Sequence, residues 1–406
     1  MTTMTTDLDA RVAAFVAEAY DRAPGVRRWF EAAGLTPAAV QGAADLDKIP
    51  VLTKDRMVEL QAAEPPFSGF LAVPLAEVKR LFLSPGPLYE PHASETVLFD
   101  TAAPLMQLAG LGRGSIVLNA LSYHLVPAGM LIDLMLQHVG AIVVPVGVGN
   151  ADLQVKMMLD LGVNGYVGSA SWLMTLLQKA EEMQIPRTAL ALRQALLTAE
   201  PLAGRVRASL VNDYGLTVTN AYSTAELGFL AYDQTGAMSM RLLDGPIIQI
   251  VDRDSGAAVG PGEAGEVVVT NFNPTYPLIR FGTGDLAMNL DPAPGVSRQS
   301  ERAITLVGRV GDAVKVRGMF LHPNQVAFAL GRFPIAAHQA VVRRPGVRDE
   351  LTLRLVLSDP QADSAALTEP LRAAFKQVCR VSVDAFEFVA ELAANAPKIV
   401  DERRWD

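Results

Sequence analysis

The order of apolar and polar positions divides the chain into stretches of different texture. Residues 7–33 repeat apolar side chains at close to the helical period, with a break at Pro24-Gly25, and this pattern predicts a pair of helices. Thr53 stands just before another short apolar repeat, where a threonine hydroxyl suits the N-cap position. The N-terminal part of the chain is therefore expected to be helical.

Residues 95–214 alternate short apolar runs with amphipathic segments. The predicted strands are Ser115–Leu118, Ala141–Pro145, Gly165–Val167 and Ala195–Thr198. The predicted helices are Glu95–Leu111, Ala128–Val139, Ala151–Leu161, Ser169–Met183 and Ala203–Tyr214. Strands that alternate with helices in this way are typical of a parallel, doubly wound sheet.

From Leu242 onward the pattern changes to strands separated by glycine and proline turns, including a predicted hairpin turn at residues 260–262. After Gly308, strand-like runs surround a predicted helix over Ala365–Val378. The predicted fold class is α/β. It has a large N-terminal domain (1–307) of parallel doubly wound sheets with a β-rich subdomain (about 242–307), and a small hinged α+β C-terminal domain (308–406).

Composition supports this division and excludes several classes of protein. A chain of 406 residues predicts two or three domains. Half of the residues are hydrophobic and 19% are charged, against roughly 25% in an average soluble domain, which indicates a well-buried globular chain. The net charge of −8, without runs of like charge, argues against nucleic-acid and membrane partners.

One cysteine, Cys379, permits no internal disulfide, and the N-terminus lacks the basic start of a signal peptide, so we expect a cytoplasmic protein. The uncharged stretches Gly114–Ile132 and Leu134–Ala151 are about as long as a membrane span. Glycine, proline and polar residues interrupt both of them. We therefore interpret them as buried strand, loop, helix and strand.

Two neighbouring polar segments follow predicted strands, at the edge where open α/β sheets place their ligands. LLTAEPLAGR (196–205) and NAYSTAELG (220–228) together supply a flat apolar face, hydroxyl groups and the carboxylate of Glu226. Such a set suits a purine, its phosphate and a magnesium ion. Ordinary strand ends are the alternative interpretation.

Three further segments carry candidate chemistry, each with a plainer alternative. Asp285 in PLIRFGTGD is suited to accept ribose hydroxyls, or else to close a tight turn. The glycines of residues 307–323 suit either a hinge between domains or a charged hairpin. Lys398, near the end of the chain, is a good partner for phosphate and carboxylate oxygens, although lysines near a terminus are usually only solvated.

Taken together and in this order, these segments resemble the adenylate-forming superfamily, and most closely its phenylacetate-CoA ligase-like branch. The resemblance runs from DLDKIPVLTKDRM (45–57) to PKIVDERRW (397–405), nearly the whole chain. It implies ATP or AMP, Mg²⁺ and coenzyme A as ligands. It also implies a C-terminal domain that rotates about a hinge at Gly311 between adenylation and thioester formation.

The resemblance also assigns roles to residues. Lys398 would bridge the substrate carboxylate and the α-phosphate, and Glu226 would bind magnesium. Near the α-phosphate the family has a serine or threonine at the position of Ala225, and Thr224, one position earlier, would take its place. Tyr123 and His124 would border the acyl pocket or help to deprotonate a thiol, and a purely structural role is the alternative for His124. The nucleotide would be held by Ala199, Glu200, Pro201, Asn220, Tyr222, Ser223, Asp285, Val307 and Arg309.

One segment departs from the family pattern. The place of the glycine-rich phosphate loop is taken by LFLSPGPLYEPHAS (81–94), which keeps Ser84 and Gly86 but lacks the threonines and the lysine. Its prolines remove backbone N–H donors on which such a loop depends. His92 is a candidate donor to phosphate in place of the lost lysine.

The predicted function is an AMP-forming acid–thiol ligase that activates an aromatic or related carboxylic acid and transfers it to coenzyme A. Two alternatives remain open. One is a homologue that binds nucleotide, acyl-adenylate or acyl-CoA without ATP-dependent ligation. The other is an adenylating enzyme with a different acyl acceptor. The expected partners are the acid, ATP and coenzyme A, and a homodimer is possible for this family.

Overall fold

The computed structural model describes residues 2–84, 87–93, 96–237, 239–310, 314–317, 319–321, 323–345, 349–379, 381–393 and 395–403. Gly86 and the predicted hinge residue Gly311 lie outside these ranges. The chain forms two units. The first comprises Met1–Gln249, Val268–Thr283 and Asp291–Ile304, and the second comprises Ile250–Val267, Gly284–Leu290 and Thr305–Asp406.

The elements follow one another in the order that the pattern predicts. The helices are α1 (Thr2–Arg22), α2 (Pro24–Ala32), α3 (Lys54–Ala63), α4 (Thr96–Leu108), α5 (Ala128–His138), α6 (Ala151–Asp160), α7 (Ala170–Glu182), α8 (Gly204–Asn212), α9 (Pro323–Leu330) and α10 (Ser364–Cys379). The strands up to residue 242 are β1 (Leu52–Thr53), β2 (Arg80–Ser84), β3 (Leu88–His92), β4 (Ile116–Asn119), β5 (Ile142–Pro145), β6 (Gly165–Gly168), β7 (Gln194–Leu197), β8 (Thr217–Thr224), β9 (Gly228–Asp233) and β10 (Met240–Leu242). The later strands are β11 (Ile247–Val251), β12 (Ala264–Thr270), β13 (Phe281–Asn289), β14 (Ala303–Arg309), β15 (Val314–Val316), β16 (Met319–Leu321), β17 (Ile335–Arg343), β18 (Glu350–Leu357), β19 (Ala385–Phe388) and β20 (Ile399–Asp401).

The first unit is built on a parallel sheet with the strand order β8-β7-β6-β4-β5. β5 lies on one side of β4, and β6, β7 and β8 follow one another on its other side. The order therefore reverses between β4 and β6, and open α/β sheets bind ligands outside the carboxyl ends of the strands at such a point. β9 and β10 then extend the sheet with antiparallel pairing.

Neighbouring side chains on these strands enter two different cores. Leu118, Tyr166 and Ala195 pack on one face with α6, α7 and α8. Val117 and Val167, each next to one of them in sequence, pack on the other face with α4 and α5. Burial on both faces explains why these strands are continuous apolar runs instead of alternating ones. The doubly wound fold predicted from the sequence is confirmed.

Helix boundaries at the N-terminus agree with the sequence signals. Ala23 is extended and Pro24 begins α2, so the predicted break separates two helices. The Thr53 hydroxyl accepts a hydrogen bond of 3.2 Å from the Arg56 N–H, which confirms the predicted cap of α3. Within the described residues, no helix is long and apolar enough to cross a membrane.

The predicted turn at residues 260–262 is present, but it is one of two turns in the connection between β11 and β12. Glu263 N–H donates to the Gly260 carbonyl (3.1 Å). A second turn comes earlier, where the Asp252 carboxylate accepts a hydrogen bond of 2.9 Å from Ser255 N–H. Aspartate and serine favour this local bonding, so the connection is longer than a tight hairpin.

The second unit contains a four-stranded sheet with the order β19-β18-β17-β20, in which β20 lies parallel to β17. Helices α9 and α10 cover it through Val326, Leu330, Leu371 and Phe375. Cys379 is buried in the same core, and burial raises the pKa of its thiol.

An ion-pair network centred on Asp349 fixes the end of the chain in this unit. Its carboxylate lies 3.1 Å from the Arg403 guanidinium and 2.7 Å from that of Arg344, and it accepts the Arg317 N–H. The Asp349 and Arg403 side chains are 7% and 6% exposed. The hydrogen bond from Arg344, then that from the Arg317 N–H and the charges of Arg403 and Arg344, lower the pKa of Asp349 to about 2, against the opposing effect of burial.

We expect Asp349→Asn to destabilise the second unit by about 2 kcal/mol, because Arg344 and the buried Arg403 lose a carboxylate partner, while Arg403 keeps its ion pair with Asp401. The measurement is urea unfolding of the full chain. A carboxyl with a lowered pKa stabilises the fold above its unfolded pKa of 3.8, and this contribution is lost as the pH falls towards 2. The difference between the two proteins should therefore shrink from pH 5 to pH 2.

The matched control is Glu369→Gln, which removes a carboxylate on α10 that is 82% exposed. It should change the unfolding free energy by less than about 0.5 kcal/mol. Equal effects of the two substitutions would contradict the role given to Asp349.

Candidate functional site

A hairpin turn between β8 and β9 carries Glu226. Thr224 and Gly228 close the hairpin, and residues 225–227 form the turn. Gly228 has φ +73°, a conformation that favours glycine at this place in a three-residue hairpin loop. The Glu226 side chain is 4% exposed, and the Thr224 hydroxyl is buried without a hydrogen-bond partner among the described residues. The turn therefore presents two buried polar groups together.

The carboxyl ends of β7 and β8 are joined by side chains. Leu197 pairs with Asn220, and the hydroxyls of Thr198 and Ser223 are 2.9 Å apart. Tyr222 is buried, and its hydroxyl lies 3.5 Å from that of Thr283. The structure thus brings the predicted residues Asn220, Tyr222 and Ser223 to one edge of the sheet.

The segment after β7 is held in an unusual conformation. Ala199 is exposed with φ +72°, a left-handed conformation that costs an alanine of order 1 kcal/mol or more. The neighbouring Glu200 carboxylate accepts hydrogen bonds from the Ser171 N–H and hydroxyl (2.6 and 2.9 Å) at the N-terminus of α7, where negative charge is favoured. Glu200 therefore anchors this segment, and Pro201 follows it at the surface.

A lysine that sequence reasoning did not single out lies against Glu226. The Lys54 ammonium is 2.6 Å from the Glu226 carboxylate, and its side chain is only 19% exposed. Lys54 is the first residue of α3, and a cation at a helix N-terminus opposes the helix dipole. A lysine directly after the predicted helix cap Thr53 is therefore the sequence feature that indicates a nearby anion.

The segment in the place of the phosphate loop is a β-hairpin. β2 and β3 pair antiparallel, with Ser84 opposite Leu88 and Phe82 opposite Glu90. Gln61 of α3 clamps β3, because its side chain accepts the Tyr89 N–H (2.8 Å) and donates to the Tyr89 carbonyl (3.0 Å). The hairpin is therefore held against α3, with Leu88 and Glu90 on its buried face and Tyr89 on its exposed face.

Glu90 points to that inner face, in phase with Leu88 and His92, and it is 4% exposed. Neither of its carboxylate oxygens has a hydrogen-bond partner among the described residues, since the nearby Ser84 hydroxyl donates to the Leu88 carbonyl (3.5 Å). Burial, and then the charge of Glu226, raise the pKa of Glu90 to about 8, against smaller effects of Ser84 and Lys54.

A small cleft lies beside Glu226. Its lining includes His92, Thr101, Leu131, Pro246 and Asn271. His92 contacts the Phe82 ring edge-on at 5.2 Å between centroids. The hairpin and the β8–β9 turn thus form parts of one cleft, with a carboxylate in its wall.

The two residues predicted for the acyl pocket differ in their surroundings. The Tyr123 hydroxyl donates to Asp133 (2.9 Å) and accepts from the Asn119 amide (2.7 Å), and burial with the Asp133 carboxylate raises its pKa. His124 is exposed. Tyr123 is therefore fixed by the loop that follows β4.

The remaining predicted residues belong to the second unit. Asp285 lies within the continuous strand β13, so the alternative of a tight turn is wrong, and its carboxylate is 3.0 Å from the Arg309 guanidinium. Val307 is buried beside Leu286 and Met288. β15 and β16 form the hairpin that was the alternative to a hinge.

Lys398 is exposed just before β20, and its carbonyl accepts the Ala340 N–H (2.9 Å). His338 lies near it on β17. Burial, and to a smaller extent the charge of Lys398, lower the pKa of His338. The parallel pairing of β20 with β17 therefore fixes the backbone at Lys398, while its ammonium is left at the surface.

Sequence comparison finds relatives along most of the chain, although no protein-family model matches it. A phenylacetate–coenzyme A ligase of Thermus thermophilus is 29% identical over 367 residues, which cover 87% of this chain and 81% of the relative. One from Escherichia coli is 27% identical over 381 residues, covering 89% and 83%. The chain is thus similar to phenylacetate–coenzyme A ligases over most of its length.

Structure comparison agrees about the fold. A 2-hydroxyisobutyryl-CoA ligase, solved in an open conformation with its acyl-adenylate and coenzyme A, superposes with a TM-score of 0.79. It is 22% identical, and the match covers 98% of this chain and 91% of that one. The same ligase in its thioester-forming state gives a TM-score of 0.69 at 23% identity, over 99% and 90% of the chains. The predicted fold is confirmed.

Glu90 provides a test of the site's electrostatics. A carboxyl whose pKa rises from 4.5 to about 8 on folding binds a proton that the unfolded chain has lost, so stability falls as the pH rises through this window. We expect the unfolding free energy of the wild type, relative to Glu90→Gln, to fall by about 1.4 kcal/mol per pH unit between pH 5 and 8. Urea unfolding at three pH values measures this.

Glu59→Gln is the control, because that carboxylate is 65% exposed on α3. Its unfolding free energy should follow the wild type at every pH. A wild type and a Glu90→Gln variant with parallel pH profiles would show that Glu90 is ionised in the folded chain.

Proposed function

We propose that this protein is an AMP-forming ligase that converts an aromatic or related carboxylic acid into its acyl-adenylate and then into its coenzyme A thioester. The observation that carries the proposal is the group of polar side chains at the carboxyl edge of the parallel sheet, from Thr198 to Glu226. The site lies where this fold class binds ligands. Homology to phenylacetate–coenzyme A ligases supports the same reaction.

The two steps follow from the chemistry of a carboxylate, which is a poor acyl donor. In the first step, a carboxylate oxygen attacks the α-phosphorus of ATP, and pyrophosphate leaves. In the second step, the thiol sulfur attacks the acyl carbon, loses its proton, and AMP leaves. We assign to Lys398 the stabilisation of negative charge at the α-phosphate in the first step, where a fixed cation is worth several kcal/mol.

The nucleotide contacts in this proposal are assigned residue by residue from the family resemblance. Tyr222 would stack on the adenine, beside Ala199, Glu200 and Pro201. Asp285 would accept the ribose hydroxyls, and its contact with the Arg309 guanidinium orients that carboxylate. Ser223 and Thr224 would donate hydroxyl hydrogen bonds near the α-phosphate.

The residues around Glu226 fit a magnesium ion. Hard cations prefer oxygen ligands, and Mg²⁺ is usually held by one or two carboxylates and substrate phosphates. Glu226 is buried, and the Thr224 hydroxyl beside it has no hydrogen-bond partner among the described residues. When bound, the ion would offset charge on the phosphates. We further propose a cytoplasmic location, a possible homodimer, and no nucleic-acid or membrane partner.

The proposal predicts AMP and pyrophosphate release that depends on the acid. The purified chain is incubated with ATP, Mg²⁺, coenzyme A and a panel of acids including phenylacetate, benzoate and 2-hydroxyisobutyrate. At least one acid should raise AMP release at least tenfold above the acid-free rate and yield its thioester. If none of the acids in the panel raises AMP release, the proposed ligase activity is contradicted.

Lys398→Ala separates the two steps. We expect it to slow adenylation by about 10²- to 10³-fold, because the charge at the α-phosphate loses its cation. Thioester formation from a supplied acyl-adenylate should change less than threefold. Lys376→Ala, which removes an exposed lysine of the same unit, is the control and should leave both steps unchanged. Equal losses in the two steps would show that Lys398 is structural.

A further inference from the structure

The backbone departs from regular strand geometry immediately before Asp285. Gly284 has φ +75° although it lies within β13, and residues of a regular strand have negative φ. Glycine adopts this conformation at little cost, whereas other residues are strained in it. The position of Asp285 therefore depends on a peptide that the strand pairing by itself does not fix.

A side chain of the neighbouring strand holds that peptide. A carboxyl oxygen of Glu266, on β12, accepts a hydrogen bond of 3.0 Å from the Gly284 N–H. Glu266 is 3% exposed. A backbone N–H that is shielded from water needs an acceptor, and hydrogen bonds are electrostatically stronger inside a protein than in water. Glu266 thus stabilises the unusual backbone directly before Asp285.

The contact made by the Asp285 side chain is weaker by comparison. Its carboxylate lies 3.0 Å from the Arg309 guanidinium on β14, and the Arg309 side chain is 68% exposed. An ion pair with a partner this exposed contributes little energy. The position of the Asp285 carboxylate therefore depends largely on its backbone, which Glu266 holds through Gly284.

We propose that Glu266 is a positioning residue for ribose recognition, because its hydrogen bond to Gly284 sets the place at which the Asp285 carboxylate accepts the ribose hydroxyls. The inference deepens the proposed function and rests on it for the role of Asp285 at the ribose. Hydrogen bonds weaken steeply when their distance or angle changes, so a small displacement of Asp285 loses them. Glu266 therefore controls the discrimination between ribose and deoxyribose.

The experiment compares the binding of AMP, 2′-deoxy-AMP and 3′-deoxy-AMP to the full-length chain by calorimetry, which requires no turnover. The wild type should bind at least one of the deoxy nucleotides about tenfold more weakly than AMP, because a site that bonds a hydroxyl rejects an analogue without it. Glu266→Leu should bind AMP about tenfold more weakly and the deoxy nucleotides almost unchanged, so that the discrimination is lost. A purely structural role would weaken all three nucleotides by the same factor.

Two smaller substitutions separate the reach of the side chain from its charge. Glu266→Gln keeps an oxygen at the same reach and should retain most of the discrimination. Glu266→Asp keeps the carboxyl group but shortens the side chain by one methylene, and it should lose the discrimination as Glu266→Leu does. Circular dichroism checks the fold of each variant. If Glu266→Leu fails to fold, the Glu266→Gln and Glu266→Asp pair decides.

Glu263→Leu is the matched control. The Glu263 carboxyl also accepts a backbone N–H, that of Gly260 at 2.9 Å, but it lies in the turn before β12, beside Asn289 at the other end of β13. This variant should discriminate between the nucleotides as the wild type does. The inference is overturned if Glu266→Asp or a folded Glu266→Leu keeps the wild-type discrimination, if Glu263→Leu loses it equally, or if the wild type binds AMP and both deoxy nucleotides alike.

The outcomes distinguish this inference from the proposed function. Acid-dependent AMP release, together with wild-type discrimination in the Glu266 variants, would remove only the role of Glu266. Discrimination that depends on Glu266, with no AMP release for any acid, would leave that role in place and remove only the ligase.

Discussion

Burial on both faces of the parallel sheet is the constraint on which the first unit depends. Val117 and Leu118 are adjacent in sequence and enter opposite cores, as do Tyr166 and Val167. Neither face can be solvated, so helices must cover both, and the strands must run parallel with long crossover connections. All carboxyl ends of these strands then meet at one edge, and this edge collects Thr198, Ser223 and Glu226 from distant parts of the sequence.

Charge is concentrated at that edge in a chain with few charged residues. Lys54, Glu90 and Glu226 are all at least four-fifths buried, where electrostatic interactions are much stronger than in water. The hairpin in the place of the phosphate loop thus brings a buried carboxyl group, Glu90, into the fold.

The second unit uses ion pairs for a different purpose. Asp349 joins Arg344 and Arg403 to the backbone of Arg317, so the β15–β16 hairpin and the end of the chain are tied to the same carboxylate. The parallel pairing of β20 with β17 orders the backbone at Lys398. A residue close to the chain terminus, where solvated side chains are the rule, is thereby given a defined position.

The sequence alone determined the element order, the doubly wound sheet and the cap at Thr53, because these depend on local signals: the period of apolar residues, the glycines and prolines, and a hydroxyl before a helix. It also supplied the motifs of the nucleotide edge, by resemblance. The tertiary structure decided what each charge faces. Sequence patterns show Lys54 only as the residue after a helix cap and Glu90 only as part of a segment that differs from the family's phosphate loop. They do not pair Arg309 with Asp285. Such contacts join residues far apart in the chain, and their energies depend on burial and distance, which no local pattern of residues contains.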